Sequence, residues 1–150
     1  MSMLYSAGAP LVVVYEASGT ITKGAPVKLG TPTTEANPVP SLDVTRYIPT
    51  VVEVAASEDI EFIGAAIESA ASGEKVKVCI QGTCQGAFGI GTELTAGDQV
   101  DIEASAGNFG EATTSTEQVV AQALETVTTT ADDELVWIYI PPRTIGLGGG

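Results

Sequence analysis

Apolar and polar positions along this chain fall into two stretches with the same layout. In the first, Lys23-Gly24-Ala25-Pro26-Val27-Lys28-Leu29 is followed by Phe62-Ile63-Gly64-Ala65-Ala66-Ile67-Glu68, a small polar turn, and Glu74-Lys75-Val76-Lys77-Val78-Cys79-Ile80. In the second, Ala96-Gly97-Asp98-Gln99-Val100-Asp101-Ile102 precedes Val119-Val120-Ala121-Gln122-Ala123-Leu124-Glu125, another turn, and Glu134-Leu135-Val136-Trp137-Ile138-Tyr139-Ile140. Each copy reads as a glycine turn, an apolar strand, a small-residue strand and a final hydrophobic strand. Two such units, each too small to bury its own face, are expected to pack into one body.

The last strand of each copy carries the clearest period of two. Val76, Val78 and Ile80 point one way, while Lys75, Lys77, Cys79 and Gln81 point the other, so Cys79 is expected on the more polar side. In the second copy, Leu135, Trp137 and Tyr139 face Val136, Ile138 and Ile140, which leaves no solvent side. This strand is expected to be covered on both faces, inside the fold or by another subunit. Trp137 and Tyr139 at two-residue spacing read as core rather than as a sugar-stacking platform.

Elsewhere, Leu11-Val12-Val13-Val14-Tyr15 is a β-branched run ending at a turn over Ala17-Ser18-Gly19. Between Gly30 and Pro49, Pro32, Pro38, Pro40 and Pro49 fall among Thr, Ser and Asn, which predicts a long loop or irregular excursion. Val51-Val52-Glu53-Val54 resumes as a strand. Ile60, Ile63, Ile67 and Ala70 also fit helical spacing with Ser57 as N-cap, and Val120, Ala123, Leu124 and Val127 raise the same conflict. Gly64 and the run Thr128-Thr129-Thr130 favour strands over short helices at 57–70 and 117–127. Gly82, Gly86, Gly89 and Gly91 make residues 82–91 read as connecting chain.

The expected fold is therefore all-β, a compact β-barrel or sandwich built from two related β units with extended termini. The repeat units run over about 20–81 and 92–140 within a single domain at 11–140, with a proline-rich loop at 30–50. Residues 1–10 form an amino-terminal arm and 141–150 a glycine-rich tail.

Composition narrows the function. The chain has 150 residues, with 19 acidic and 6 basic side chains and a net charge of -13, and its few basic residues are scattered. A surface of that sign repels phosphate, so neither nucleic acid nor an anionic membrane is an expected partner. The amino terminus lacks the basic start and apolar core of a signal peptide and no apolar run is long enough to span a bilayer, so synthesis in the cytoplasm is expected.

Histidine is absent, which removes the usual acid/base residue and the Ser-His and Cys-His nucleophile pairs. Cys79 and Cys84 are too few for a structural zinc site and read as two ordinary thiols. The glycines at 82–91 lack the Gly-Lys-Ser/Thr ending of a phosphate loop, and the acidic groups Glu58, Asp59, Glu61 and Asp132, Asp133, Glu134 read as solvated surface. No catalytic residue, cofactor or metal is expected.

The order Thr22-Lys23-Gly24-Ala25-Pro26-Val27, then Phe62-Ile63-Gly64-Ala65-Ala66, Ser72-Gly73-Glu74-Lys75-Val76-Lys77-Val78 and Gln81-Gly82, with a second Leu94-Thr95-Ala96-Gly97-Asp98-Gln99-Val100 unit, resembles the cement or head-decoration proteins of tailed bacteriophages. The resemblance implies a β-rich homotrimer on the outside of an icosahedral shell, in the virion, clamping neighbouring major capsid protein subunits. On that reading Leu4, Tyr5, Trp137, Tyr139, Ile145 and Leu147 are candidate subunit or capsid contacts. The alternative is a carbohydrate- or surface-binding β-module, displayed on a virion or secreted, with Trp137 at its centre.

Overall fold

The computed structural model describes residues 9–35, 46–54, 61–103, 107–113 and 118–142. Leu4, Tyr5, Ile145 and Leu147, residues 1–8 and 143–150 of the terminal arms and the proposed cap Ser57 lie outside the described residues. The chain is all-β, and both segments with competing helical spacing contain strands.

The first unit is a closed five-stranded barrel. Its strands are β1 (Leu11–Ala17), β2 (Pro26–Leu29), β5 (Thr50–Glu53), β6 (Phe62–Ala66) and the first half of β7 (Lys75–Phe88). The ring runs β1, β5, β2, β6, β7 and returns to β1 through an antiparallel pairing that aligns Val14 with Lys77 and Glu16 with Lys75. Between β2 and β5, the excursion expected as a loop contains a hairpin of β3 (Thr33–Glu35) and β4 (Arg46–Ile48). Thr33 and Thr34 pair with Ile48 and Tyr47, β-formers on both strands, and Glu35 stands opposite Arg46 with their charged groups 3.9 Å apart.

The second unit repeats the ring with the second half of β7, β9 (Gln99–Ile102), β10 (Phe109–Glu111), β11 (Ala121–Ala123) and β13 (Glu134–Ile140). It runs β7, β10, β9, β11, β13 and back to β7, closing through one parallel pair, Phe109 with Phe88. A small ladder of β8 (Glu93–Leu94) with β12 (Val127–Thr128) stands where the first unit has the single bridge Ile21–Ala70.

Hydrogen bonds repeat between the units. Gly24 donates to the Ala66 carbonyl at 2.7 Å and Gly97 to the Ala123 carbonyl at 2.8 Å, both glycines having positive φ. Ile67 donates to Lys77 O at 2.9 Å and Leu124 to Trp137 O at 3.0 Å, while Val54 to Pro26 O and Ala112 to Gln99 O both measure 2.9 Å. Side chains follow: the Lys77 and Trp137 amides donate to Glu68 and Glu125 at 3.3 and 2.9 Å. These bonds fix the register that the sequence leaves open, placing Gln122 where the first unit has Ala65.

Two expectations are corrected. Residues 82–88 are strand, not connecting chain, because their glycines serve close packing: a Cβ on Gly86 would stand 2.8 Å from Phe109 Cδ2 and 2.9 Å from Ile138 Cδ1. The second unit thus starts at Gly82, where φ is 98° and a Cβ would strike the Ala9 carbonyl. Cys79 is wholly buried despite sharing parity with Lys75 and Lys77, because the outer side of the first barrel is covered there by the second unit. Each unit encloses a core cluster, and that of the second also takes in side chains of the first.

The first core holds Ile21, Val27, Val51, Val76 and Val78. The second is larger, with Phe88, Val100, Phe109, Val136 and Ile138, and it draws in Val54, Phe62, Ala65 and Cys79 from the first unit. Phe62 meets Phe109 edge-on with ring centroids 5.7 Å apart. Burying side chains of this size contributes about 1.5–3 kcal/mol each, so the shared aromatic cluster couples the units strongly. Gly86→Ala, which overfills the space between Phe109 and Ile138, is expected to lower stability by about 2 kcal/mol. Gly19→Ala, with nothing within 4 Å of the added carbon, is expected to change it by under about 0.5 kcal/mol. Equilibrium urea unfolding measures both.

Candidate functional site: the groove between the units

Strand β13 displays the only tryptophan of the chain on its outer face. Val136, Ile138 and Ile140 are buried, but Trp137 is 45% exposed and Leu135 and Tyr139 are half-buried. The expectation that this strand is covered on both faces within the fold, and the core reading of Trp137, are therefore corrected. The reason is geometric: the ring has one interior, so alternate residues of β13 must face outward whatever their polarity.

The first unit covers part of that outer face. Ala87 donates its amide to the Gly24 carbonyl at 2.9 Å, and Leu135 Cδ2 would be 2.5 Å from a Cβ on Gly24. Beyond this contact a groove of about 210 Å³ opens between the units, walled by Pro10, Lys23 and Ile67 on one side and Thr83, Gln85 and Trp137 on the other. The lining is mainly apolar, with one cation and a few neutral polar groups at the edge. Such a surface suits an apolar or aromatic side chain of a partner, with Lys23 placed to meet a carboxylate.

Cys84 forms part of the groove floor and lies in the same core cluster as Cys79. Both are free thiols. A hydrogen bond from Cys84 holds the Cys79 thiol below its ordinary range against the opposing effect of burial, with a smaller lowering from the Gln81 backbone. The hydrogen bond to Cys79, together with burial, pushes Cys84 far above the usual range, which makes it a poor nucleophile.

Of the first acidic cluster, Glu61 pairs with Lys28 at 2.8 Å while Glu58 and Asp59 lie outside the described residues; in the second, carboxylates accept backbone amides. Glu134 accepts the Ala131 amide at 3.2 Å, as Glu74 accepts Ala71 at 2.9 Å, and Asp132 accepts the Ile90 amide at 3.1 Å. Asp133 takes a positive φ of 59° where the first unit has Gly73. Among the described residues, no group of three or more His, Cys, Asp or Glu side chains is arranged to hold a metal. Of the six candidate contact residues, only Trp137 and Tyr139 are described; they lie on one face of β13, with Trp137 lining the groove. Lys23, Ile67 and Gln85 were not singled out by sequence as site residues, because the approach of the Gly24 turn to β7 and β13 depends on how the two units meet.

No protein-family model matches the chain, and no curated protein matches it. Among solved structures it is similar to the head fiber gp8.5 N base of bacteriophage phi29, with 12% identity and a TM-score of 0.56. The match covers 92% of this chain and 99% of that one. At this identity the likeness is one of fold, and it spans both units.

Trp137→Ala is expected to cost about 1 kcal/mol or less, because the side chain is nearly half exposed, whereas Phe109→Ala is expected to cost about 3–5 kcal/mol. Urea unfolding separates the two. Reaction with a thiol reagent near neutral pH is expected to be slow for both cysteines in the folded chain, and two thiols per chain are expected to react once it is unfolded.

Proposed function

We propose that this chain is a structural protein of a tailed-phage head, bound to the outside of the shell and strengthening contacts between major capsid protein subunits. The observation that carries the reading is the end-to-end fold likeness to a phage head-fiber base, over 92% of the chain. The groove beside Trp137 adds a place for a partner side chain, and the motif resemblance in the sequence points to the same kind of virion protein. On this reading the chain works by binding rather than by catalysis, without a cofactor, and acts as a trimer made in the host cytoplasm. The net charge of -13 keeps it away from nucleic acid during assembly. Three copies joined together engage several capsid subunits at once, so weak individual contacts add up to firm attachment.

A ligand that binds the mature shell better than its precursor stabilises the mature form by mass action. Shells heated with the purified protein are therefore expected to rupture at a higher temperature than bare shells, and Trp137→Ala is expected to reduce the gain. Bound protein that leaves the rupture temperature unchanged removes the cementing role, and absence of binding removes the reading altogether. Trp137 beside Thr83 and Gln85 also supports a second reading, a sugar-binding face. Glycan binding lost in folded Trp137→Ala, without shell binding, selects that one.

A further inference from the structure

The contact that joins the two units has an unused counterpart at each end of the chain. Within the chain, the first unit donates the Lys23-Gly24 turn and Ile67, and the second unit accepts them on the outer face of β7 and β13 around Ala87 and Leu135. Strand pairing identifies the equivalent acceptor in the first unit. Gln85 opposite Trp137 corresponds to Val14 opposite Lys77, and Ala87 opposite Leu135 corresponds to Glu16 opposite Lys75. The shared hydrogen bonds identify the equivalent donor in the second unit as the Ala96-Gly97 turn and Leu124.

Both counterparts present exposed apolar residues, and at the edge of the acceptor Glu16 accepts the Thr33 hydroxyl at 3.3 Å. Val12 and Val14 on β1 are 38% and 53% exposed, and Leu124 is 43% exposed. A Cβ on Gly97 would meet nothing within 4 Å, whereas one on Gly24 would collide with Leu135 and Ala87. The charges are complementary as well. The acceptor side carries exposed Lys75 and Lys77, with Lys75 reaching Glu16 at 4.0 Å, and the donor side carries Glu93, Asp98 and Glu125 around the turn and Leu124.

We propose that a second copy of this chain docks head-to-tail, laying its Gly97 turn and Leu124 on Val12 and Val14 of the first unit, so that the contact between units within one chain is repeated between chains. The apolar residues meet at the centre, and Lys77 faces the acidic rim of the donor. A contact of this kind joins unlike surfaces, so it closes into a ring when the rotation per chain divides a full turn and otherwise grows a filament. Closure after three copies places six units around one axis. The inference stands apart from shell binding, since it concerns only the free protein.

Sedimentation velocity on three proteins tests it. The wild-type chain is expected to associate, and Val14→Asp and Leu124→Arg, each introducing like charge against the opposing rim, are each expected to sediment as monomers. Mixed in equal amounts, the two variants are expected to associate again, because each retains the surface that the other has lost. Leu124 lies in a connection outside the strands, so Leu124→Arg tests the donor side even if Val14→Asp disturbs β1. A wild-type chain that is monomeric at every concentration, a folded Leu124→Arg variant that still associates, or a mixture that stays monomeric overturns the proposal. Shell binding by the monomeric Leu124→Arg variant leaves the proposed function standing, which separates failure of one from failure of the other.

Discussion

One strand holds this molecule together. β7 is the last strand of the first ring and the first strand of the second, so neither ring closes without it. Its first half pairs with β1 and β6, and its second half with β13 and β10. Because the hydrogen bonds of both rings pass through the same backbone, a register slip in β7 would turn the core faces of both units outward at once. That constraint explains the glycine at the join: with Ala9 against position 82, the chain changes direction where no side chain fits.

Sharing a strand also shapes the surface. Two closed rings side by side leave one outer flank of the second covered by the first, and the cover is partial. The covered part pulls Cys79, Phe62 and Val54 into the larger core, and the uncovered part becomes the groove with Trp137 at its edge. The groove and the tight contact at Gly24 are two portions of one meeting of units. A partner that enters the groove therefore touches both rings and reads their relative placement.

Much of this was legible in the residues. The parity of Val76 and Val78 and the glycine turns at 24 and 97 follow from period and turn chemistry, and Gly64 and the threonine run favour strands over helices around Phe62–Ala66 and Ala121–Ala123. Other features were hidden because what decides them is distant in sequence. Gly82 and Gly86 look like loop formers until Ala9, Phe109 and Ile138 are in place around them. β1 and the second half of β7 share a structural role but not a residue pattern, since Val12 and Val14 stand where the other has Thr83 and Gln85. Trp137 is apolar yet outward, and nothing in the alternation of β13 says which of its two apolar faces the ring will enclose. Leu4, Tyr5, Ile145 and Leu147 fall outside the described residues, so only the β13 part of the candidate contact set acquires a position.

The two rings differ most in the connection that leads into the strand parallel to the first. In one ring the stretch between β2, ending at Leu29, and β5, starting at Thr50, carries the β3–β4 pairing with Tyr47 69% exposed on it, while in the other β9 ends at Ile102 and β10 already begins at Phe109. A body built from near-identical halves would present the same outline twice, and a lattice could not tell one half from the other. The exposed β3–β4 ladder marks one half only. Any larger array of these chains consequently counts by whole molecules instead of by rings, halving its apparent rotational order.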